Sequence, residues 1–200
     1  MDRVFSMACS LLASVVGGTL LVAGVPKLRD REGLLRVVRA YQVLPAGAER
    51  VVALLLPYAE IAVGALLVLG VAVRPAAALG GLLFLGFCAG LTVNLLRGRR
   101  ELDCGCFAFG VKDAVPHIGW FHALRALALA LVAGLTVATY RGPGLAGHAV
   151  AVALAALLLA MVTAAAQVRQ VVHPGRRPVD THLSRAAGAL RQAPAGPSRR

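Results

Sequence analysis

Five long apolar runs constrain the fold of this 200-residue chain more than any other feature. They cover approximately Phe5–Val25, Val51–Val71, Ala76–Leu96, Gly119–Thr139 and Leu145–Val168. Each has about 20 residues, the length that a helix needs to cross the hydrocarbon core of a bilayer. In lipid, an open sheet edge would leave backbone polar groups without partners, whereas a helix satisfies its own. We therefore predict an all-α, multi-pass transmembrane helical bundle.

The composition agrees with a membrane protein. Hydrophobic residues make up 58% of the chain and charged residues only 15%, against about 25% charged residues in a soluble domain. The formal net charge is +12, from 21 basic and 9 acidic residues. The basic residues lie between the apolar runs and not along one face, so we interpret them as anchors at membrane lipid headgroups. No nucleic-acid partner is expected.

Two polar connectors interrupt the apolar runs, and the first extends from Lys27 to Arg50. Its apolar residues recur at near-helical spacing, which predicts a short amphipathic helix at the interface that ends at Leu44-Pro45. These residues are Leu34, Leu35, Val38, Tyr41 and Val43. Within the third run, Gly86 and Gly90 form a pair of small residues four apart, which we attribute to ordinary helix packing.

The second connector, from Arg97 to Ile118, contains Cys104 and Cys106 separated by Gly105. A disulfide across so short a loop removes little freedom from the unfolded chain, so a purely structural bridge is disfavoured. Such a disulfide is strained and easily reduced, which suits thiol–disulfide exchange. Nearby arginines and the N-terminus of the next helix favour the thiolate, whereas Asp103 opposes it.

Two other interpretations of the thiols stay open. They could bind a metal together with His117 or His122, although structural zinc sites use four ligands and wider Cys spacing. They could also be inert thiols in a loop. We favour the redox dithiol and predict no metal.

Polar residues inside or beside the predicted spans gather toward the end of the bundle that carries the thiols. They are Lys27, Glu60, Asn94, Asp103, His122 and Arg125. A carboxylate such as Glu60 within an apolar helix needs a partner, and the candidates are Lys27 and Arg125. The pair either fixes helix register or positions a ligand headgroup near the thiols. No comparable cluster is expected at the other end, near Arg74 and Arg141.

Basic residues also predict the orientation. With five crossings, both polar connectors and the tail after the fifth run lie on one side of the membrane. That side carries far more arginine and lysine than the side of the N-terminus, Arg74 and Arg141. The positive-inside rule therefore places the Cys-Gly-Cys connector on the cytoplasmic side.

Four elements in this order resemble the MauE family of methylamine utilisation membrane proteins, which is related to DoxX-like proteins. They are Val25-Pro26-Lys27-Leu28-Arg29-Asp30, Tyr41-Gln42-Val43-Leu44-Pro45, Leu56-Pro57-Tyr58-Ala59-Glu60 with Gly64, and Leu102-Asp103-Cys104-Gly105-Cys106-Phe107. The resemblance spans about Phe5 to Leu135. One departure is Ala108, where the family usually has glycine.

The resemblance implies a helical bundle in the bacterial cytoplasmic membrane. It also implies a part in maturing the disulfide-rich small subunit of methylamine dehydrogenase, together with a thioredoxin-like partner, MauD. Residues 1–140 would form the four-helix family domain, residues 141–168 an additional fifth helix, and residues 169–200 a basic, disordered tail. That role would place the thiols outside the cell, whereas the charge distribution places them inside.

From these observations we predict a membrane thiol–disulfide redox protein in which Cys104 and Cys106 are the reactive pair. A lipid-soluble quinone held among the first four helices is the candidate cofactor. The alternatives are a non-enzymatic membrane assembly factor and a small proton-coupled transporter with Glu60 as its proton relay.

Overall fold

The computed structural model describes residues 2–102, 118–142 and 144–172. In these ranges the protein consists of six helices without a strand. The helices are α1 (Asp2–Arg29), α2 (Arg31–Tyr41), α3 (Ala46–Leu69), α4 (Val73–Leu96), α5 (Trp120–Thr139) and α6 (Leu145–Val172). All except α2 are long and apolar enough to cross a membrane. The predicted all-α, multi-pass bundle is therefore confirmed.

The end of α1 differs from the prediction. The helix continues through Pro26 to Arg29, so Lys27 lies in its last turn and not in a polar connector. The Lys27 side chain is only 5% exposed. Its ammonium reaches a carboxylate on α3, and this contact stabilises the additional helical turn.

The amphipathic helix in the first connector is α2, as predicted. The Asp30 carboxylate caps it by accepting a hydrogen bond from the Gly33 N–H at 2.8 Å, and such a cap satisfies one unpaired backbone donor. The helix ends at Tyr41, earlier than Leu44-Pro45, because Gln42 adopts a left-handed conformation with φ of 48°. Val43 therefore lies beyond the helix, contrary to the prediction.

Helix α1 is the centre of the bundle and contacts every other helix. It runs antiparallel to α3, and the two backbones approach each other closely at Gly17 and Gly64. A Cβ atom added at Gly64 would lie 2.7 Å from the Gly17 carbonyl oxygen, and one added at Gly17 would lie 2.8 Å from the Gly64 carbonyl oxygen. Only glycine allows this approach, which is the close packing that small residues permit in membrane helices.

Two apolar clusters hold the spans together. The larger one joins α1, α3, α4 and α5 around Val16, Leu20, Leu67 and Phe84. The smaller cluster contains Leu91, Leu95, Ile118 and Ala123, with Leu102 packed against it. The Ile118 N–H also donates to the Arg100 carbonyl at 2.9 Å. The two ends of the second connector are thus held together at one end of the bundle.

Candidate functional site

A buried ion pair joins α1 to α3 at the connector end of the bundle. The Lys27 Nζ atom lies 2.5 Å from Glu60 Oε1, with side chains 5% and 0% exposed. Lys27 is one of the two partners predicted for Glu60. An isolated charge in hydrocarbon is costly, so the pair keeps both groups at this depth.

Local backbone geometry makes the ion pair possible. Gly24 lies one turn before Lys27, and a Cβ atom there would lie 3.0 Å from the Glu60 Cβ and 3.2 Å from the Pro57 carbonyl oxygen. Because Gly24 has no side chain, α1 and α3 approach closely enough for the ammonium to reach the carboxylate.

An aromatic ring from α4 completes the surroundings of the ammonium. The Lys27 Nζ atom lies 5.0 Å from the centroid of the Phe87 ring, within the range of a cation–π contact. Three helices therefore meet at this charge. Phe87 was not among the predicted site residues.

The second carboxylate oxygen of the pair, Glu60 Oε2, is buried without a hydrogen-bond partner in the described part of the chain. The same holds for Asn94 Oδ1 on α4. The Asn94 amide nitrogen donates to the Gly90 carbonyl at 3.0 Å. Asn94 lies two turns beyond Phe87 on the same face of α4, toward the connector. Each of these oxygens can accept a hydrogen bond from a group that offers a donor.

The two predicted site residues on α5 lie near its N-terminus. His122 accepts a hydrogen bond at Nδ1 from the Gly119 N–H, at 3.2 Å, and its ring lies edge-on to Phe121 at 6.1 Å. His122 therefore engages its own helix terminus. Arg125 follows one turn later and is half-buried.

The predicted thiol pair lies outside the described residues, as do Asp103 and His117. The described residues that flank it, Leu102 and Ile118, belong to the smaller apolar cluster at the end of α4. Within the described ranges, no group of three or more His, Cys, Asp and Glu residues could hold a metal. The metal alternative that uses Cys104 and Cys106 is untested by this finding.

A second polar cluster lies at the opposite end of the bundle, where none was expected. The Ser10 hydroxyl lies 2.7 Å from His148 Nδ1, and His148 Nε2 lies 2.9 Å from the Val68 carbonyl oxygen. A carbonyl oxygen only accepts, so Nε2–H donates to Val68. This histidine thereby ties α6 to α1 and α3.

Sequence reasoning missed this cluster because its members are far apart in the chain. Ser10 and His148 are 138 positions apart, and each is a single polar residue in an apolar run. The available signal was the histidine itself, since a polar side chain in a membrane helix needs a partner.

Comparison with known proteins agrees with the resemblance in the sequence. The family model described as methylamine utilisation protein MauE matches residues 5–140. A methylamine utilization protein MauE of Paracoccus denitrificans is 46% identical over 123 residues, covering 59% of this chain and 64% of the relative. The protein of the same name from Methylophilus methylotrophus is 40% identical over 130 residues, covering 64% of this chain and 65% of the relative.

A third relative with this name, from Methylorubrum extorquens, is 36% identical over 114 residues, covering 57% of this chain and 60% of the relative. In all three cases the match spans less than two thirds of the relative's length. No solved structure matches the chain significantly. The family match extends from α1 to the end of α5 and includes the cysteine connector. The chain therefore belongs to the MauE family.

Proposed function

We propose that this protein is a membrane thiol–disulfide exchange protein that supports the maturation of a disulfide-containing partner in methylamine utilisation. Its reactive pair is Cys104 and Cys106. The relatives are named for methylamine utilisation, and the family match includes both cysteines. In the family's namesake pathway the partner would be the methylamine dehydrogenase small subunit.

The observation that supports this proposal most strongly is where the cysteine connector is anchored. The two ends of the connector are joined by the Ile118–Arg100 hydrogen bond. Gln42, just after α2, accepts hydrogen bonds from Arg97 and Arg99 at the end of α4. The connector thus begins and ends near the C-terminal end of α2, on the same side of the bundle as Lys27 in the last turn of α1.

In the proposed direction, a thioredoxin-like protein supplies electrons from the cytoplasmic side. Its thiolate attacks the Cys104–Cys106 disulfide, one of these two sulfurs leaves as a thiolate, and a mixed disulfide forms. The second thiolate of the thioredoxin-like protein then attacks that protein's own sulfur in the mixed disulfide, and the bound connector cysteine leaves as a thiolate. The thioredoxin-like protein now has a disulfide, Cys104 and Cys106 are a dithiol, and two electrons have moved to the connector.

Reoxidation of the dithiol requires an acceptor of two electrons and two protons, and a lipid-soluble quinone has this chemistry. The fit rests on the unpartnered atoms of the site. The Lys27 ammonium has three donors, of which Glu60 Oε1 receives one, so it can donate to a quinone oxygen. On the same carboxylate, Glu60 Oε2 can accept a hydrogen bond from a hydroxyl group.

His122 and Arg125 have a supporting role in this proposal. Both lie in the first two turns of α5, where the helix dipole favours negative charge. Arg125 adds a positive charge, and the two effects together would favour a thiolate in the connector. The negative charge of Asp103 would oppose a thiolate at its neighbouring cysteine.

The test is to replace Cys104 and Cys106 singly with Ser and to follow the partner by alkylation of its free thiols. We expect neither variant to oxidise the partner, because a single remaining thiol cannot form the Cys104–Cys106 disulfide that the partner's thiolate attacks. The partner's thiols should therefore stay free for alkylation in both variants. Cys88→Ser is the matched control, because Cys88 lies within α4 and should leave the partner's redox state unchanged.

An unchanged partner in both connector variants would contradict thiol exchange and favour the non-enzymatic assembly role. Loss of activity in Glu60→Gln with normal thiol cycling would favour the proton-coupled transporter.

A further inference from the structure

An apolar cavity of about 340 Å³ lies between α2, α3 and α4. The apolar face of α2 forms one wall through Val38 and its neighbours, Leu56 contributes from α3, and Leu82 and Phe87 contribute from α4. Among the described residues that line the cavity, Tyr41 is the one with a polar group in its side chain. Neither Lys27 nor Glu60 lines the cavity. It is therefore a hydrocarbon-like space separate from the ion pair.

The cavity exists because α4 has glycine where it faces α2. A Cβ atom at Gly86 would meet nothing within 4 Å, and one at Gly90 would lie 3.4 Å from the Tyr41 ring. The sequence interpretation of these glycines as helix-packing residues is wrong for Gly86. Unfilled apolar volume destabilises a protein because the lining atoms lose their contacts, so this volume favours a hydrocarbon occupant.

The cavity is elongated along the bundle and open to the lipid. Its lining residues on α4 extend from Leu82 to Leu91, nine residues or about 13 Å at 1.5 Å per residue. Leu82 is 64% exposed and Val43, near the water side, is 45% exposed. A chain that enters sideways from the bilayer and lies parallel to the helices would fit this shape.

Positive charge lies at the water end of the cavity. Arg97 and Arg99 each donate one hydrogen bond to Gln42, both at 3.0 Å, and Gln42 is flanked by the lining residues Tyr41 and Val43. Arg97 is six residues past Leu91, about 9 Å closer to water. A guanidinium has five donors and suits phosphate, and the bonds to Gln42 use only one donor of each arginine.

We propose that this cavity holds one acyl chain of an anionic phospholipid whose phosphate binds Arg97 and Arg99. A phospholipid places only hydrocarbon against the apolar wall and leaves its charge at the arginines. A quinone ring in the same cavity would bury two carbonyl oxygens that need hydrogen-bond donors. Among the described lining residues, only Tyr41 has a polar side-chain group. The inference is independent of the thiol chemistry proposed above.

The test measures phospholipid that stays bound when the full-length protein is purified in detergent. Mass spectrometry of the extract should find about one anionic phospholipid per chain. Gly86→Leu fills the cavity, and the double variant Arg97→Gln/Arg99→Gln removes the charges. Each should lower the retained lipid at least fivefold. Adding phosphatidylglycerol, but not phosphatidylcholine, should raise the melting temperature of the unsubstituted protein and have no such effect on either variant.

Matched controls separate the site from general effects. Gly134→Leu adds the same side chain at a glycine on α5 with nothing near its Cβ position, and Arg141→Gln removes a charge at the other end of the bundle. Both should retain the lipid, and so should Cys104→Ser/Cys106→Ser, which disables only the proposed thiol function. Equal retention by the cavity and arginine variants, or recovery of a quinone or an uncharged-headgroup lipid instead, would overturn the proposal.

Discussion

The ion pair between Lys27 and Glu60 is the residue-scale feature that organises this end of the bundle. Neither side chain is more than 5% exposed, and Phe87 covers the ammonium. A buried pair contributes little net stability compared with a well-packed apolar pair, but loss of one partner leaves an uncompensated charge. The two possible roles, register and ligand binding, therefore make different predictions.

Single substitutions should destabilise the protein strongly. We expect Lys27→Met or Glu60→Leu to cost about 3–5 kcal/mol of unfolding free energy, because the remaining charge is buried alone. Unfolding of the purified protein in mixed micelles measures this cost. The control Arg36→Met removes an exposed charge on α2 and should change stability by about 0.5 kcal/mol or less.

The double variant Lys27→Met/Glu60→Leu separates the two roles. It should recover most of the stability, because no unpaired charge remains. If the pair binds a ligand, partner redox cycling should stay low in this stable variant. Full recovery of both stability and cycling would show that the pair only fixes helix register.

At the residue scale, the sequence predicted features that follow from the free-energy cost of burying a single charged group. It missed features that depend on contacts between helices. A carboxylate in an apolar run requires a partner, and Lys27 was one of two candidates for it. Nothing in the sequence indicated that the Phe87 ring would lie over the ammonium, because ring placement depends on how α4 packs against α1. The Ser10–His148 contact was missed for the same reason.

The crossing of α1 and α3 is the element-scale feature that brings this ion pair together. Gly17 and Gly64 let the two backbones meet, and Gly24 keeps the helices close as far as Glu60. Helix association in lipid depends on such packing, because the hydrophobic effect does not drive one apolar helix toward another. A methyl group at the crossing should therefore disturb the site from a distance.

Gly64→Ala should destabilise the protein by about 1–3 kcal/mol, the usual cost of overpacking. The added methyl would meet a backbone carbonyl, which cannot rotate away as a side chain can. Thermal unfolding in detergent would measure the effect. Gly134→Ala is the matched control, because its Cβ would meet nothing within 4 Å and it should be neutral or slightly stabilising. Equal melting temperatures for the two variants would contradict the close crossing.

Hydropathy predicted all five membrane-spanning helices because apolar length is a local property of the chain. The helix ends were less accurate. Pro26 and Lys27 indicated that the first helix ends near Val25, yet it continues to Arg29. Lys27 can be buried there only because α3 supplies Glu60 opposite Gly24. Likewise, the cavity beside Gly86 depends on where α2 packs, which the sequence pattern did not indicate.

At the scale of the whole molecule, the number of spans links the N-terminus to the position of the thiols. If all five apolar helices cross, the N-terminus and the α4–α5 connector lie on opposite sides of the membrane. Arginines are concentrated on the connector side, at Arg29, Arg31, Arg36, Arg39, Arg50, Arg97, Arg99 and Arg100. The positive-inside rule therefore predicts a cytoplasmic connector.

Thiol labelling in whole cells tests this orientation. In a variant with Cys9→Ala and Cys88→Ala, a membrane-impermeant maleimide should leave Cys104 and Cys106 unlabelled until the membrane is opened. A cysteine introduced at Arg141, on the opposite side, should be labelled in intact cells and serves as the control. Strong labelling of the connector in intact cells would reverse the predicted orientation and the proposed source of electrons.

The most direct test of the central claim is the redox state of Cys104 and Cys106 in growing cells. Acid quenching followed by alkylation with a heavy maleimide separates the dithiol from the disulfide by mass. We predict that both forms are present and that removing the electron acceptor shifts the pair toward the dithiol. A pair that stays fully reduced under every acceptor and oxidant condition would contradict the account.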